Sequence, residues 1–397
     1  MPAQAPLKIV RIIGRLNVGG PARQACLLHE QLRPEFQTVL ISGRPDNGEE
    51  DMSYLLSSGE GVVWVDSMSR PVRIFSDLRS LLAIYRTLRR EKPDIVHTHT
   101  AKAGTLGRIA AIVARIPVRI HTFHGHVFSG YFGNLKTRLY LTIERILARL
   151  TTRIVTVSEG QETELAETYR VASRSKFQVV RNGFEWKDSS RQREEIRAEL
   201  GIKPDQIAVL WTGRMVPIKG IDLLADVVRS ASPDISLHFL VAGDGPERSR
   251  LTHLIGGCNN VRILGWQRDV APLLKASDVV LLTSINEGTP TSLIEAMFAA
   301  RPFVATDAGG TSELALELKP LSAGIQQGTN GFIVDDRSES IIECLKILSN
   351  DASLRKSMGT HGHAFGLRGW SSTRLLAEMK SLYYDLANTS KGRAQAI

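Results

Sequence analysis

Two apolar rhythms alternate along this chain. Short β-branched runs at 9–13, 38–41, 62–65, 95–97, 118–123 and 153–157 predict strands buried on both faces. The segments between them, such as 22–32 and 75–90, space their apolar residues at helical intervals. The pattern restarts after residue 205. There 207–212, 237–242, 262–264, 279–283 and 303–305 predict strands, and 221–231, 291–300, 338–348 and 372–387 predict helices. Strands alternating with helices imply parallel sheets covered on both faces, the doubly wound α/β class.

A charged stretch at 182–203, with Arg191, Arg193, Glu194 and Glu195, separates the two series, and the domain boundary is placed between 192 and 193. The halves echo each other weakly. Gly14-Arg15-Leu16 precedes Gly19-Gly20, and Gly213-Arg214-Met215 precedes Lys219-Gly220. Such domains bind ligands at the carboxyl ends of their strands, and two facing each other predict a small-molecule cleft.

Composition narrows this. With 397 residues, 43% hydrophobic and 23% charged, the chain is no disordered tract, collagen or disulfide scaffold. Lys+Arg exceed Asp+Glu by 50 to 41, a net +9. That favours anionic partners: a phosphorylated small molecule, a nucleic acid or an acidic membrane. Cys26, Cys258 and Cys344 lie far apart and read as reduced thiols. No signal peptide and no membrane-spanning run is expected, so the expected location is cytoplasmic.

Three loops carry candidate chemistry. Gly19-Gly20 follows the first strand, where glycines let a ligand approach and the next helix offers its N–H groups; a plain strand–helix turn would look the same. Arg214 and Lys219 flank the turn between Gly213 and Gly220. They suit a diphosphate, one as a fork and one as a point charge, and are otherwise two solvated cations. The third is Asn286-Glu287-Gly288-Thr289-Pro290-Thr291-Ser292-Leu293-Ile294-Glu295-Ala296. Pro290 and Thr291 mark a helix start, with Glu287 in the loop before it and Glu295 a turn inside. Each carboxylate can accept two hydroxyl bonds, as a sugar or ribose diol requires. The Thr291 and Ser292 amides suit a phosphate.

This last segment resembles the signature of the family 4 retaining glycosyltransferases. So do Gly213-Arg214-Met215-Val216-Pro217-Ile218-Lys219-Gly220, Val241-Ala242-Gly243-Asp244-Gly245-Pro246, Lys92-Pro93-Asp94-Ile95-Val96-His97-Thr98-His99 and Val180-Arg181-Asn182-Gly183. The resemblance covers nearly the whole chain. It implies the GT-B fold: two Rossmann-like domains facing across a cleft, an acceptor-binding one over 1–192 and a nucleotide-sugar-binding one over 193–371. A last helix, 372–397, would return to the first.

Carried over position by position, the resemblance places Arg214 and Lys219 on the donor diphosphate and Glu287 on sugar hydroxyls. Gly288, Thr289, Pro290 and Thr291 would line sugar and phosphate, and Glu295 would hold the ribose. Gly20 would bring its amide to the diphosphate, and His124 would sit beside the reacting sugar. Pro21, where many members carry alanine, removes one N–H from that helix start.

The implied reaction moves a hexose or N-acetylhexosamine, with retention, from a nucleoside-diphosphate sugar with UDP as the expected carrier. The acceptor would be a glycan or lipid-linked saccharide of cell-surface polysaccharide synthesis. No Asp-x-Asp motif occurs, so no metal and no cofactor is expected. His97, His99, His121, His124 and His126 cluster near strand ends, as metal ligands or as hydrogen bonders lining the site. Leu139, Ile143, Ile146, Leu147 and Leu150 share a helical face beside Arg138, Arg145 and Arg149, with Glu144 the one acid and the apolar loop 127–132 just before. That face either docks on an anionic membrane or packs on the sheet. A nucleotide-sugar epimerase on the same scaffold is the alternative enzyme. No nucleic-acid-binding pattern appears, and no Gly-x-Gly-x-x-Gly follows the first strand.

Overall fold

The computed structural model describes residues 6–17, 19–33, 35–46, 51–69, 71–125, 128, 133–231 and 236–395. The chain forms two compact units, Met1–Phe184 with Ser372–Ile397, and Glu185–Ser371. The division falls between Phe184 and Glu185, ahead of the 192/193 position read from the charge run. The segment after Phe184 packs on the second unit. Trp186 stacks on Phe298 with ring centroids 6.2 Å apart, and Lys275 donates to the Ser189 carbonyl at 2.6 Å. The charged stretch also holds a helix, Arg193–Glu199, whose Arg193 and Arg197 both pair with Asp278.

The first unit is a seven-stranded parallel sheet. Its strands are β1 (Lys8–Arg15), β2 (Gln37–Gly43), β3 (Val62–Trp64), β4 (Ile95–His99), β5 (Val118–Phe123), β6 (Arg153–Thr156) and β7 (Phe177–Val179). They lie in the order β3-β2-β1-β4-β5-β6-β7. Ile9, Val10, Ile12 and Ile13 of β1 are all sealed, because helices cover both faces. The helix Ser372–Gln395 supplies part of this cover. Its Leu375, Met379, Leu382 and Tyr383 pack on Leu28, Leu32, Phe36 and Ile95. Each such burial contributes about 1.5–3 kcal/mol.

The helices Ala101–Val113 and Asn134–Leu150 are joined by a sealed ion pair. Arg108 Nη2 donates to both oxygens of Glu144 at 2.7 Å, and Arg108 Nε donates to the Gly104 carbonyl at 2.8 Å. Glu144 is therefore buried, outside the solvent-facing stripe. The apolar face read on that helix divides: Leu147 enters the core, whereas Leu139, Ile146 and Leu150 are exposed, as is Leu135. Arg145 is held by the Tyr169 carbonyl at 2.7 Å. Of the loop 127–132, only Phe128 lies within the described residues.

The second unit has eight strands: β8 (Ile207–Thr212), β9 (Leu237–Ala242), β10 (Val261–Gly265), β11 (Val279–Leu282), β12 (Phe303–Thr306), β13 (Lys319–Ser322), β14 (Ile325–Gln327) and β15 (Gly331–Val334). Their order is β10-β9-β8-β11-β12-β15-β14-β13, parallel up to β15 and antiparallel across β14 and β13. The strand order reverses between β8 and β11, the switch point where doubly wound sheets receive ligands. Both units are thus Rossmann-like α/β domains. Among the described residues no helix is long and apolar enough to cross a membrane.

Candidate active site

The switch point of the second unit is built from interlocked loops. Trp211, near the end of β8, donates its indole N–H to Thr283 Oγ1 at 3.1 Å, and Thr283 Oγ1 donates to the Lys219 carbonyl at 2.9 Å. The Ile285 amide donates to the Ile218 carbonyl at 2.9 Å. Thr306, at the end of β12, donates its hydroxyl to the Ser284 carbonyl at 2.6 Å. Gly220 sits at φ +65°, and a Cβ there would collide with the Thr283 carbonyl oxygen. Only glycine allows that approach.

This framework brings Lys219 and Glu287 together. The Lys219 ammonium donates to Glu287 Oε1, and Ser284 Oγ donates to the same oxygen at 2.6 Å. The pair is partly buried, with the Lys219 side chain 22% exposed and Glu287 13%. Gly213 and Arg214 begin the same loop, and Arg214 is half-buried. The Gly213 amide donates to the Ala242 carbonyl at 3.1 Å, which fixes the loop to the end of β9.

Gly288 and Thr289 continue from Glu287, and Pro290 is the N-cap of the helix Thr291–Phe298. No side chain caps that helix and its first turn holds no acid, so its positive end keeps its capacity for an anion. Thr291 is partly exposed, while Ser292 and Glu295 are buried. The Gly310 amide donates to the Glu287 carbonyl at 3.0 Å, holding the loop from behind. Gly220 and Ser284 also border a cavity of about 610 Å³ that Asp222, Glu247, Asp307, Asp335 and Asp336 line.

The remaining expected residues belong to the first unit. Gly19 is the N-cap of the helix Gly20–Gln31, at φ +155°, and Pro21 occupies its first turn. His124 follows β5. His99 Nδ1 and His124 Nε2 share a hydrogen bond of 2.9 Å, and the two rings stack 5.2 Å apart. His97 is bonded to Tyr383 and Thr122 at 2.7 Å each, and His121 to Thr98 at 2.9 Å. Burial drives His97, His99 and His121 well below the ordinary imidazole pKa and His124 down to about 3, so all are neutral at physiological pH. Among the described residues no three His, Cys, Asp or Glu side chains gather with metal-ligand geometry. His126 lies outside the described residues.

The sequence reading missed Ser284 and Tyr383. Ser284 is a short polar residue directly after an apolar strand, a detectable signal. Tyr383 sits on a helix hundreds of residues from its partner, and nothing local marks it.

Residues 18–185 match the model described as Glycosyltransferase Family 4, and residues 206–351 the one described as Glycosyl transferases group 1. Over 340 residues the chain is 28% identical to the UDP-Gal:alpha-D-GlcNAc-diphosphoundecaprenol alpha-1,3-galactosyltransferase of Escherichia coli, covering 81% of this chain and 83% of that protein. It is 27% identical to the capsular polysaccharide biosynthesis glycosyltransferase CapM of Staphylococcus aureus, covering 84% and 87%. The crystal structure of Anabaena HepE with UDP and glucose aligns at a TM-score of 0.76 with 20% identity, over 96% of this chain and all of that one. The sucrose-phosphate synthase of Thermosynechococcus elongatus aligns at 0.79 with 16% identity, over 96% and 100%. The fold is GT-B, and the chain belongs to the family 4 glycosyltransferases.

Proposed function

We propose that this glycosyltransferase moves a hexose or N-acetylhexosamine from a UDP-sugar to a lipid-linked saccharide, with retention and without a metal ion. The observation that carries the reading is the Lys219–Glu287 pair beside an uncapped helix start, at the switch point of a parallel sheet. It puts a cation, a carboxylate and a positive helix end within one set of loops. The sequence relationship to an enzyme named for UDP-Gal and a diphosphoundecaprenol acceptor supports the donor and acceptor classes.

In this reading Lys219 and Arg214 hold the diphosphate. Lys219 has three N–H donors and spends one on Glu287, leaving the others for phosphate oxygens. The bonds to Glu287 from Lys219 and Ser284 both fall on Oε1, so Oε2 faces sugar hydroxyls. Glu295 takes the ribose diol, and the amides of Gly20, Thr291 and Ser292 add neutral donors to the anion. His124 stands beside the sugar. The diphosphate departs on the face from which the acceptor hydroxyl attacks, so no carboxylate nucleophile is required. Charge growing on the leaving phosphate is stabilised by Lys219 and Arg214 more strongly than the charge of the bound donor, which lowers the barrier. The test is incubation with UDP-sugars and an undecaprenyl-diphosphate-linked acceptor, reading the glycolipid and the anomeric configuration of the new bond. UDP-sugar isomerised without an acceptor would establish the epimerase instead.

The helix Asn134–Leu150 supports docking on an anionic membrane, where such an acceptor resides. It exposes Leu135, Leu139, Ile146 and Leu150 beside the exposed Lys136, Arg138 and Arg149.

A further inference from the structure

Arg11 and Arg108 are both sealed in the core of the first unit, and their surroundings differ. Arg108 meets both oxygens of Glu144. Arg11, in β1, is buried as completely, yet among the described residues no carboxylate pairs with it. Its Nη2 donates to the Tyr383 hydroxyl oxygen at 3.3 Å, and its Cζ lies 5.7 Å from the centre of that ring. Its Nε and Nη1 are shielded from water and have no hydrogen-bond partner among the described residues. A guanidinium has only N–H groups to give and keeps its charge in proteins.

The polar groups around Arg11 carry no compensating charge. The Tyr383 hydroxyl is shared with His97 Nδ1 at 2.7 Å, and His97 Nε2 with Thr122 Oγ1 at 2.7 Å. Burial raises the Tyr383 phenol, so it stays a neutral hydroxyl. His97, opposite Arg11 on the neighbouring strand β4, is held well below the ordinary imidazole range by burial first and then by Arg11 itself. His99, its ring 4.3 Å from that of His97, is lowered too, and its Nε2 is shielded and unpartnered among the described residues. The unmet hydrogen-bonding capacity is therefore contiguous across β1 and β4. An uncompensated charge in such a core is strongly destabilising, and its idle N–H groups need acceptors. An anion supplies both. Protein cores hold few spaces larger than a water molecule, which favours a monatomic ion over a tetrahedral one.

We infer that Arg11 is the cation of a halide site inside the first unit, where one chloride ion accepts hydrogen bonds from Nε and Nη1 and offsets the charge lying against Tyr383 of the helix Ser372–Gln395. The site is independent of the transfer reaction: it secures the C-terminal helix on the sheet.

A crystal soaked in sodium bromide gives the direct test. An anomalous peak should lie within hydrogen-bond reach of Arg11 Nε or Nη1. An ordered water there, with no anomalous signal, overturns the inference. Hydrogen exchange of the β1 and β4 amides reads the same site in solution. With gluconate holding the ionic strength constant, exchange should slow roughly tenfold for each tenfold rise in chloride above the dissociation constant, because the ion binds the closed form alone. In Arg11→Met that dependence should vanish. Exchange indifferent to chloride in the wild-type protein, or equally sensitive in Arg11→Met, also overturns the inference. If Arg11→Met does not fold, the bromide crystal and the wild-type exchange decide.

Discussion

Lys219 and Glu287 stand 68 positions apart in the chain and share one ion pair at the end of the central strands of the second unit. In the proposed reaction the pair holds the cation in place for the donor diphosphate. Lys219→Ala or Arg214→Ala should lower kcat by roughly 100-fold or more, the scale of one lost electrostatic stabiliser. Thermal midpoints should change little, because both side chains reach solvent. Near-wild-type kcat in both variants would remove them from the diphosphate.

In the proposed reaction two cations and a helix end take over the charge balance that a divalent ion would supply. Transfer should therefore persist in millimolar EDTA. Activity lost to EDTA and recovered with Mn²⁺ would contradict the metal-free reaction.

The sealed Arg108–Glu144 pair makes a stability prediction. Removing one partner leaves an uncompensated buried charge, so Glu144→Ala should cost about 3–5 kcal/mol. Urea unfolding measures it. Arg108→Met with Glu144→Leu should recover most of the loss, since an apolar pair of similar size needs no desolvation.

Acid should unfold the first unit. His29 is held at about 4 and His124 at about 3, chiefly by burial, and His97, His99 and His121 are lowered too. Each binds its proton less tightly folded than unfolded. Stability is therefore full above pH 6.5 or so and falls as the pH drops towards 4 and then 3. The slope approaches about 1.4 kcal/mol per pH unit for each histidine still neutral in the folded state. Urea midpoints at pH 7.5, 6 and 5 measure this, and a flat profile would refute it.

Membrane docking is testable by flotation. The protein should rise with phosphatidylglycerol vesicles at low salt. Leu135→Ser with Arg138→Glu should abolish co-flotation while leaving unfolding unchanged. No flotation of the wild-type protein would show that this helix face serves something else.

Much of this was legible in the sequence, for identifiable reasons. β5 and β8 coincide with their apolar runs, because strands buried on both faces need uninterrupted hydrophobic sequence. β7 has three residues and left no distinguishable run. β13 is exposed along its length, so no burial pattern marks it. The helix Ala352–Trp370 is rich in glycine, and its Gly359 and Gly366 allow close packing on Ala300 and Met297. Composition there argues against a helix, and tertiary contact overrides it. At the site, the motifs named Lys219 and Glu287 separately. Their pairing depends on Trp211, Thr283 and Gly220 closing two loops together, which spacing does not encode.

The helix beginning at Ser372 completes a core laid down from residue 7 onwards. During synthesis the contiguous unit Glu185–Ser371 has all its parts before the earlier one does. Until that helix is made, Leu28, Leu32 and Phe36 lack part of their apolar cover, so the portion translated first is the one whose core closes last.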